Sequence, residues 1–387
     1  MRRSEDRILT THVGSLPRHP ALADLLIREE AGETVDRAEL HRLSENAVRH
    51  VVERQVASGI DVINDGEQPR VGFQTYVAQR MKGFGGESKR PRPRDFTDFP
   101  GFATWIAQRL PRRSKVSNAP QAIADVVYED LGAAQQECRM FRAALDGLVT
   151  PPVDTFITAA APGIIATTLL NAHYDSHEAY VFALAQQMRK EYELIARDFV
   201  LQIDAPDLAM ERTVLFRDKT ASEFLEIAEM HVAALNEALV SIRRDRIRLH
   251  CCWGNYEGPH VHDIPLKEIL PVLYQARVGA LSLEFANPRH QHEYAALKSN
   301  RPPAEFLLLV GVIDSTTNYV EHPEVVANRI CEAVDAVGDR SRVIASSDCG
   351  FGTFAGMELV AEDVVWEKLK ACREGADIAT RRLWGRP

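Results

Sequence analysis

The chain has 387 residues, 45% of them hydrophobic and 26% charged, which is enough to bury a substantial core. Forty-six basic against fifty-five acidic residues give a formal net charge of −9 at pH 7, so no global positive field draws the chain to nucleic acid or to an anionic membrane surface. No run approaches the roughly 18 consecutive apolar residues of a membrane span, the opening residues lack the apolar segment of a secretory signal, and six scattered cysteines make no secreted disulfide framework. The expectation is a cytoplasmic protein.

No internal repeat is found, and short β-rich runs alternate with longer helical ones. The first predicted strand, Ile8–Val13, leads into Gly14-Ser15, and the second, Asp61–Asn64, delivers Asn64, Asp65 and Glu67. Residues 82–151 then interrupt the alternation. This segment opens with Gly83-Phe84-Gly85-Gly86, passes through Lys89-Arg90-Pro91-Arg92-Pro93-Arg94, and turns helical around Ala133–Leu148. It reads as a long excursion after strand two, a flap-like insertion over a barrel mouth, because loops of this length are usually functional or disordered. Its Arg/Pro run reads as solvated surface.

The third and fourth strands are Thr155–Ala159 and Val200–Ile203, the latter closing at Asp204. The fifth and sixth, Ile247–Cys252 and Ala280–Phe285, carry His250, Cys252 and Glu284, while Phe306–Ile313 leads to Asp314 and Val343–Ser347 to Asp348-Cys349. Helical periodicity fills the intervals, as at Glu178–Asp198, Ala221–Ile242 and Pro323–Val337. Eight βα units predict a (β/α)8 TIM barrel forming one domain over residues 1–387. A doubly wound sheet is disfavoured, because the turn after strand one lacks G-x-G-x-x-G.

In such a barrel the active site lies at the C-terminal ends of the strands. Alternation along a strand turns His250 and Cys252 to one side and Cys251 to the other. Glu284 and Cys349 close two further strands, so imidazole, carboxylate and two thiolates converge as a zinc set, soft sulfur selecting zinc over magnesium or calcium. The competing reading makes Cys252 and Cys349 small buried hydrophobes, as it does Cys138, Cys331 and Cys372. The loops Trp253–Asp263 and Asn287–Glu293 add His262, His290 and His292 as candidate catalytic proton donors. His260 and Asp263 read instead as loop-stabilising hydrogen-bond partners.

Taken together, Thr11-His12-Val13-Gly14-Ser15-Leu16-Pro17-Arg18, Asn64-Asp65-Gly66-Glu67, Leu201-Gln202-Ile203-Asp204, His250-x-Cys252, Ser282-Leu283-Glu284 and Ser347-Asp348-Cys349-Gly350 resemble the cobalamin-independent methionine synthases. That family belongs to a larger group with the epoxyalkane–coenzyme M transferases and the uroporphyrinogen decarboxylase-like barrels. The chain is similar to the catalytic C-terminal barrel standing alone, without a duplicated N-terminal barrel. The resemblance implies zinc on His250, Cys252, Glu284 and Cys349, and Ser15, Glu67 and Asp204 gripping the amino-acid end of a thiol substrate.

The implied activity is alkyl transfer, most economically methyl transfer to homocysteine or a related small thiol, with a small-molecule thiol and an alkyl donor as partners. The alternatives are coenzyme M-like alkylation of another thiol and a decarboxylase-like or non-catalytic barrel; a homo-oligomer is left open. Departures from the family fall on the donor side. Asp204-Ala205-Pro206 lacks an acidic residue, Asp314-Ser315-Thr316-Thr317-Asn318 lacks the family's histidine, and Leu169-Leu170-Asn171-Ala172-His173-Tyr174 lacks its folate-binding tryptophan. The expectation is weak use of a polyglutamate folate and better use of a smaller or more activated donor.

Overall fold

Leu307–Ile313 is buried at every position, as a parallel strand covered on both faces must be. It is β9 of ten strands in the computed structural model, which describes residues 1–109 and 118–385. The others are β1 (Leu9–Thr10), β2 (Val62–Ile63), β3 (Lys82–Gly85), β4 (Gln121–Val127), β5 (Asp154–Ala160), β6 (Val200–Asp204), β7 (Ile247–His250), β8 (Ala280–Leu283) and β10 (Val343–Ser347). Eight of them form one parallel sheet in the order β1-β10-β9-β8-β7-β6-β5-β2.

Side chains and a single backbone bond close the remaining seam. The Asp61 N–H donates to the Thr10 carbonyl at 3.1 Å, the Thr11 hydroxyl donates to the Val62 carbonyl at 2.9 Å, and Asp61 Oδ2 accepts from the Thr10 N–H at 2.9 Å. Arg7 forks onto the same carboxylate at 2.6 and 2.7 Å. The result is a (β/α)8 TIM barrel. No helix among the described residues is long and apolar enough to cross a membrane.

All eight predicted barrel strands are present. β1 and β2 are shorter than the sequence suggests, because side chains of Thr10, Thr11 and Asp61 take over ladder bonds at the seam.

The excursion after β2 departs more from the sequence reading. β3 and β4, far apart in the chain, pair antiparallel within the segment expected to be a flap-like insertion. Gly83, at φ 97°, makes this pairing feasible. A Cβ there would lie 2.4 Å from the Asp125 carbonyl oxygen, so the strands approach only because it is absent. The helix Gly132–Asp146, also inside the excursion, packs against the helices Arg37–Ala57 and His177–Asp198 of the outer ring. Residues 110–117, in the middle of the expected flap, lie outside the described residues.

A buried histidine fixes the turn that follows β1. His12 is fully buried, and its Nδ1 accepts from the Gly14 N–H at 3.2 Å, so Nε2 carries the proton and donates to Gln55 Oε1 at 2.7 Å. Burial pushes the His12 pKa down to about 4, which keeps the ring neutral and the Gly14 turn fixed at neutral pH.

Candidate metal centre and substrate cavity

The C-terminal strand ends open into a cavity of about 440 Å³. Three soft donors meet in its wall. His250 ends β7, Cys252 follows two residues on, and Cys349 follows β10; one ligand atom from each lies within 4.8 Å of the other two. Cys349 Sγ is 3.6 Å from His250 Nε2, and His250 Nδ1 is buried without a hydrogen-bond partner. Cys251 is fully buried and does not line the cavity, as alternation requires.

The hydrogen bond from Cys349, and then the nearby His250, hold the Cys252 thiol well below the usual thiol range. Two sulfurs and an imidazole in a water-poor wall, one sulfur already inclined to ionise, match the donor chemistry of zinc. Glu284, one residue past β8, lies near Cys252 but is not brought into this group of three or into the cavity lining. Its Oε1 accepts from the Trp253 N–H at 3.2 Å and its Oε2 from Asn287 Nδ2 at 2.9 Å. Burial, and then the Cys252 charge, push its carboxyl well above the usual range.

Asp348 builds the turn that carries Glu284. Its Oδ1 accepts from the N–H groups of Phe285 and Ala286 at 2.9 and 2.8 Å, and its Oδ2 from that of Asn287 at 2.9 Å. Asp348 can reach across because Gly311 on β9 has no side chain; a Cβ there would lie 2.1 Å from Asp348 Oδ1.

Glu67 and Asp204 line the same cavity. Glu67 Oε1 accepts from the Thr158 hydroxyl at 2.9 Å, while Oε2 is buried and unpartnered. Asp204 Oδ1 accepts from Gln202 Nε2 at 2.7 Å. Burial, and then the neighbouring Glu67 charge, raise the Asp204 pKa to about 8. Two buried carboxylates that repel one another form a site that a cation would relieve. Ser15 completes this side of the wall, and Gly350 leaves it room: a Cβ on Gly350 would lie 2.0 Å from Ser15 Oγ.

Part of the excursion roofs the cavity, with Arg90, Pro93, Phe96 and Ile106 in its lining. Arg90 pairs with the buried Glu211 and donates from Nε to the Thr167 carbonyl at 3.0 Å. Asp95 Oδ2 accepts from the Tyr256 hydroxyl at 2.9 Å and from the His260 N–H at 2.7 Å, and Phe96 packs on Tyr256 with centroids 5.7 Å apart.

The three candidate proton donors are not brought into the cavity lining. His262 Nε2 lies 2.9 Å from Asp98 Oδ2, on the roof segment. His290 bonds Glu293 at 2.7 Å and Asp263 at 3.2 Å and stacks on Trp253 at 4.2 Å. Although burial acts to lower it, those two carboxylates raise the His290 pKa to about 10, so the ring is a fixed cation. His292 is exposed on the short turn Gln291–Glu293. His260 bonds Asp263 at 3.1 Å and the Tyr256 carbonyl at 3.0 Å, a loop-stabilising arrangement.

The fold and site define a parallel barrel whose cavity brings together a buried imidazole, two thiols and a pair of acidic side chains, a donor group that could hold a metal ion. The family described as "Cobalamin-independent synthase, Catalytic domain" matches residues 8–90 and 112–368, and the chain belongs to that family. Methionine synthase of Saccharolobus islandicus is 24% identical over 378 residues, covering 97% of this chain and 95% of that protein. The Thermococcus kodakarensis methionine synthase is 23% identical over 379 residues, covering 97% and 94%.

Among solved structures, a B12-independent methionine synthase from Shewanella sp. W3-18-1 in complex with selenomethionine superposes with a TM-score of 0.73 at 21% identity, covering 98% of this chain and 99% of that one. A putative vitamin-B12-independent methionine synthase from Listeria monocytogenes gives a TM-score of 0.61 at 19% identity, covering 96% and 99%. Residues 91–111 fall between the two matched stretches of the family, so much of the roof lies outside what the family shares.

Proposed function

We propose that this chain methylates the sulfur of homocysteine, or of a related small thiol bearing an ammonium group, with zinc held by His250, Cys252, Glu284 and Cys349. The observation that carries this reading is the meeting, in one cavity, of the His250–Cys252–Cys349 group with the acidic side chains of Glu67 and Asp204. Bound there, zinc would supply a Lewis acid that keeps a substrate thiol, ordinarily near pKa ~8.5, deprotonated and nucleophilic at neutral pH.

The chain's own groups do the rest. Glu67 and Asp204 take the substrate ammonium, and the Ser15 hydroxyl takes its carboxylate. Glu284 can leave the ligand group without becoming an unpaired buried charge, because Trp253 and Asn287 already donate to both of its oxygens. The roof over residues 90–107 excludes water from the nucleophile. Free thiols at all six cysteines suit a reducing cytoplasm.

The donor side favours a compact, activated methyl donor. Phe96, Ile106, Met210, Phe354 and Leu359 give it an apolar lining, and His262, His290 and His292 are held elsewhere, so an amine leaving group would find none of them beside it. A single-turnover assay of zinc-loaded enzyme with homocysteine tests both parts of the reading. Trimethylsulfonium is expected to give methionine faster than methyltetrahydropteroyltriglutamate does. Folate-driven turnover at roughly one per second or faster would reject the donor preference, and no methionine from either donor would reject the reaction.

A further inference from the structure

The wall of the cavity is set by a layer beneath it. β6 and β7 pair in register, Gln202 beside Arg248 and Asp204 beside His250. Alternation therefore stacks Gln202 under Asp204 and Arg248 under His250, all on the inner face. Arg248 is 2% exposed, and among the described residues it makes no salt bridge to a carboxylate. It donates from Nε to Gln202 Oε1 at 2.6 Å, from one terminal nitrogen to Thr11 Oγ1 at 3.1 Å, and from the other to the His12 carbonyl at 2.8 Å. Its guanidinium carbon sits 3.4 Å from the Phe156 ring centroid.

This contact settles which way the Gln202 amide points. A guanidinium carries donors only, so Gln202 must turn its oxygen toward Arg248 and its NH2 upward. That NH2 then donates to Asp204 Oδ1 at 2.7 Å and to the Val13 carbonyl. The flipped amide would turn its NH2 toward the guanidinium, donor against donor, and its oxygen toward the Val13 carbonyl, acceptor against acceptor. With the amide fixed, one Asp204 oxygen is tied down, the carboxylate plane is set, and the Val13 carbonyl two residues before Ser15 is held by the same group.

We propose that Arg248 is a positioning residue for the amino-acid end of the thiol substrate, acting through the Gln202 amide on Asp204 and on the Val13–Ser15 turn. The proposal rests on the reading of Glu67 and Asp204 as the ammonium site. It does not require Arg248 to touch substrate.

Titration calorimetry on the zinc-loaded protein with L-homocysteine and with 4-mercaptobutyrate, the same thiol without the amine, tests it. The wild type is expected to favour homocysteine by at least about tenfold, the worth of a hydrogen-bonded charge. Arg248→Met and Gln202→Leu should each remove most of that preference, with 4-mercaptobutyrate binding within about twofold of wild type and zinc content at the wild-type level. Because both act through one link, the double variant should lose little more than either single one, whereas independent structural damage would add.

Steady-state kinetics should show the same loss as a raised KM for homocysteine with kcat much less affected. Gln202→Leu probes the same link if Arg248→Met folds poorly. Full discrimination in either variant, or additive losses in the double, overturns the proposal alone. A wild type that does not discriminate between the two thiols overturns the ammonium reading and the proposal with it.

Discussion

Cys252→Ser and Cys349→Ser are each expected to strip the protein of zinc and to lower thiol alkylation by more than about a hundredfold, the upper range seen when only an outer-shell partner of a metal is lost. Each variant removes one of the two thiolates that, with His250, make up the soft donor group. A hydroxyl is a poor substitute, since it neither ionises near neutral pH nor matches the softness of zinc. Both should fold, because the barrel is held by strand pairing and an aliphatic core around the cavity rather than by the metal site. Metal analysis with thermal melting makes the check: zinc near zero at a melting temperature close to wild type. Cys251→Ser is the control, because that side chain does not line the cavity, and it should retain the metal. Full zinc occupancy in either of the first two variants would remove the ligand assignment.

Glu67→Ala and Asp204→Ala are the second pair with a large expected effect. Each deletes one acidic side chain of a buried pair that lines the cavity, and Arg70 and Arg18 lie near enough to favour the charged form of Glu67. A charge-assisted contact to the substrate ammonium is worth about 1.5–3 kcal/mol, so KM for homocysteine should rise by roughly 10- to 100-fold. Zinc content should stay at the wild-type level and kcat should fall much less, the signature of a lost binding contact. Wild-type KM in both variants, or a preference for a sulfonate thiol with no ammonium, would show that the pair has another purpose. The coenzyme M-like alternative would then gain.

The barrel was legible because short buried β-rich runs alternate with longer helical ones; Leu307–Ile313, apolar throughout, is the plainest case. The soft ligand group was legible for a related reason: a period of two puts His250 and Cys252 on one face, and strand ends in a barrel share one space. The antiparallel pair of β3 and β4 was not, since the two strands are far apart in the chain and Lys82-Gly83-Phe84-Gly85 pairs through the close backbone approach that Gly83 admits. The histidine loops misled for a different reason. Asp98, Asp263 and Glu293 engage His262 and His290, and a partner such as Asp98, far away in the chain, leaves no trace in local spacing. Arg248 and Gln202 stand two residues before His250 and Asp204, so their inward face could be read from the sequence. Their contact across neighbouring strands could not, because it depends on the register of β6 against β7.

In the proposed reaction a substrate thiol joins the metal at the His250–Cys252–Cys349 group. Zinc K-edge X-ray absorption of the zinc-loaded protein, recorded before and after addition of L-homocysteine, tests it most directly. Sulfur scattering from Cys252 and Cys349 is expected in the resting protein and one further sulfur ligand once homocysteine is present, with the extra sulfur absent when homoserine is added instead. A zinc environment of nitrogen and oxygen alone, or a sulfur count that homocysteine leaves unchanged, would contradict it.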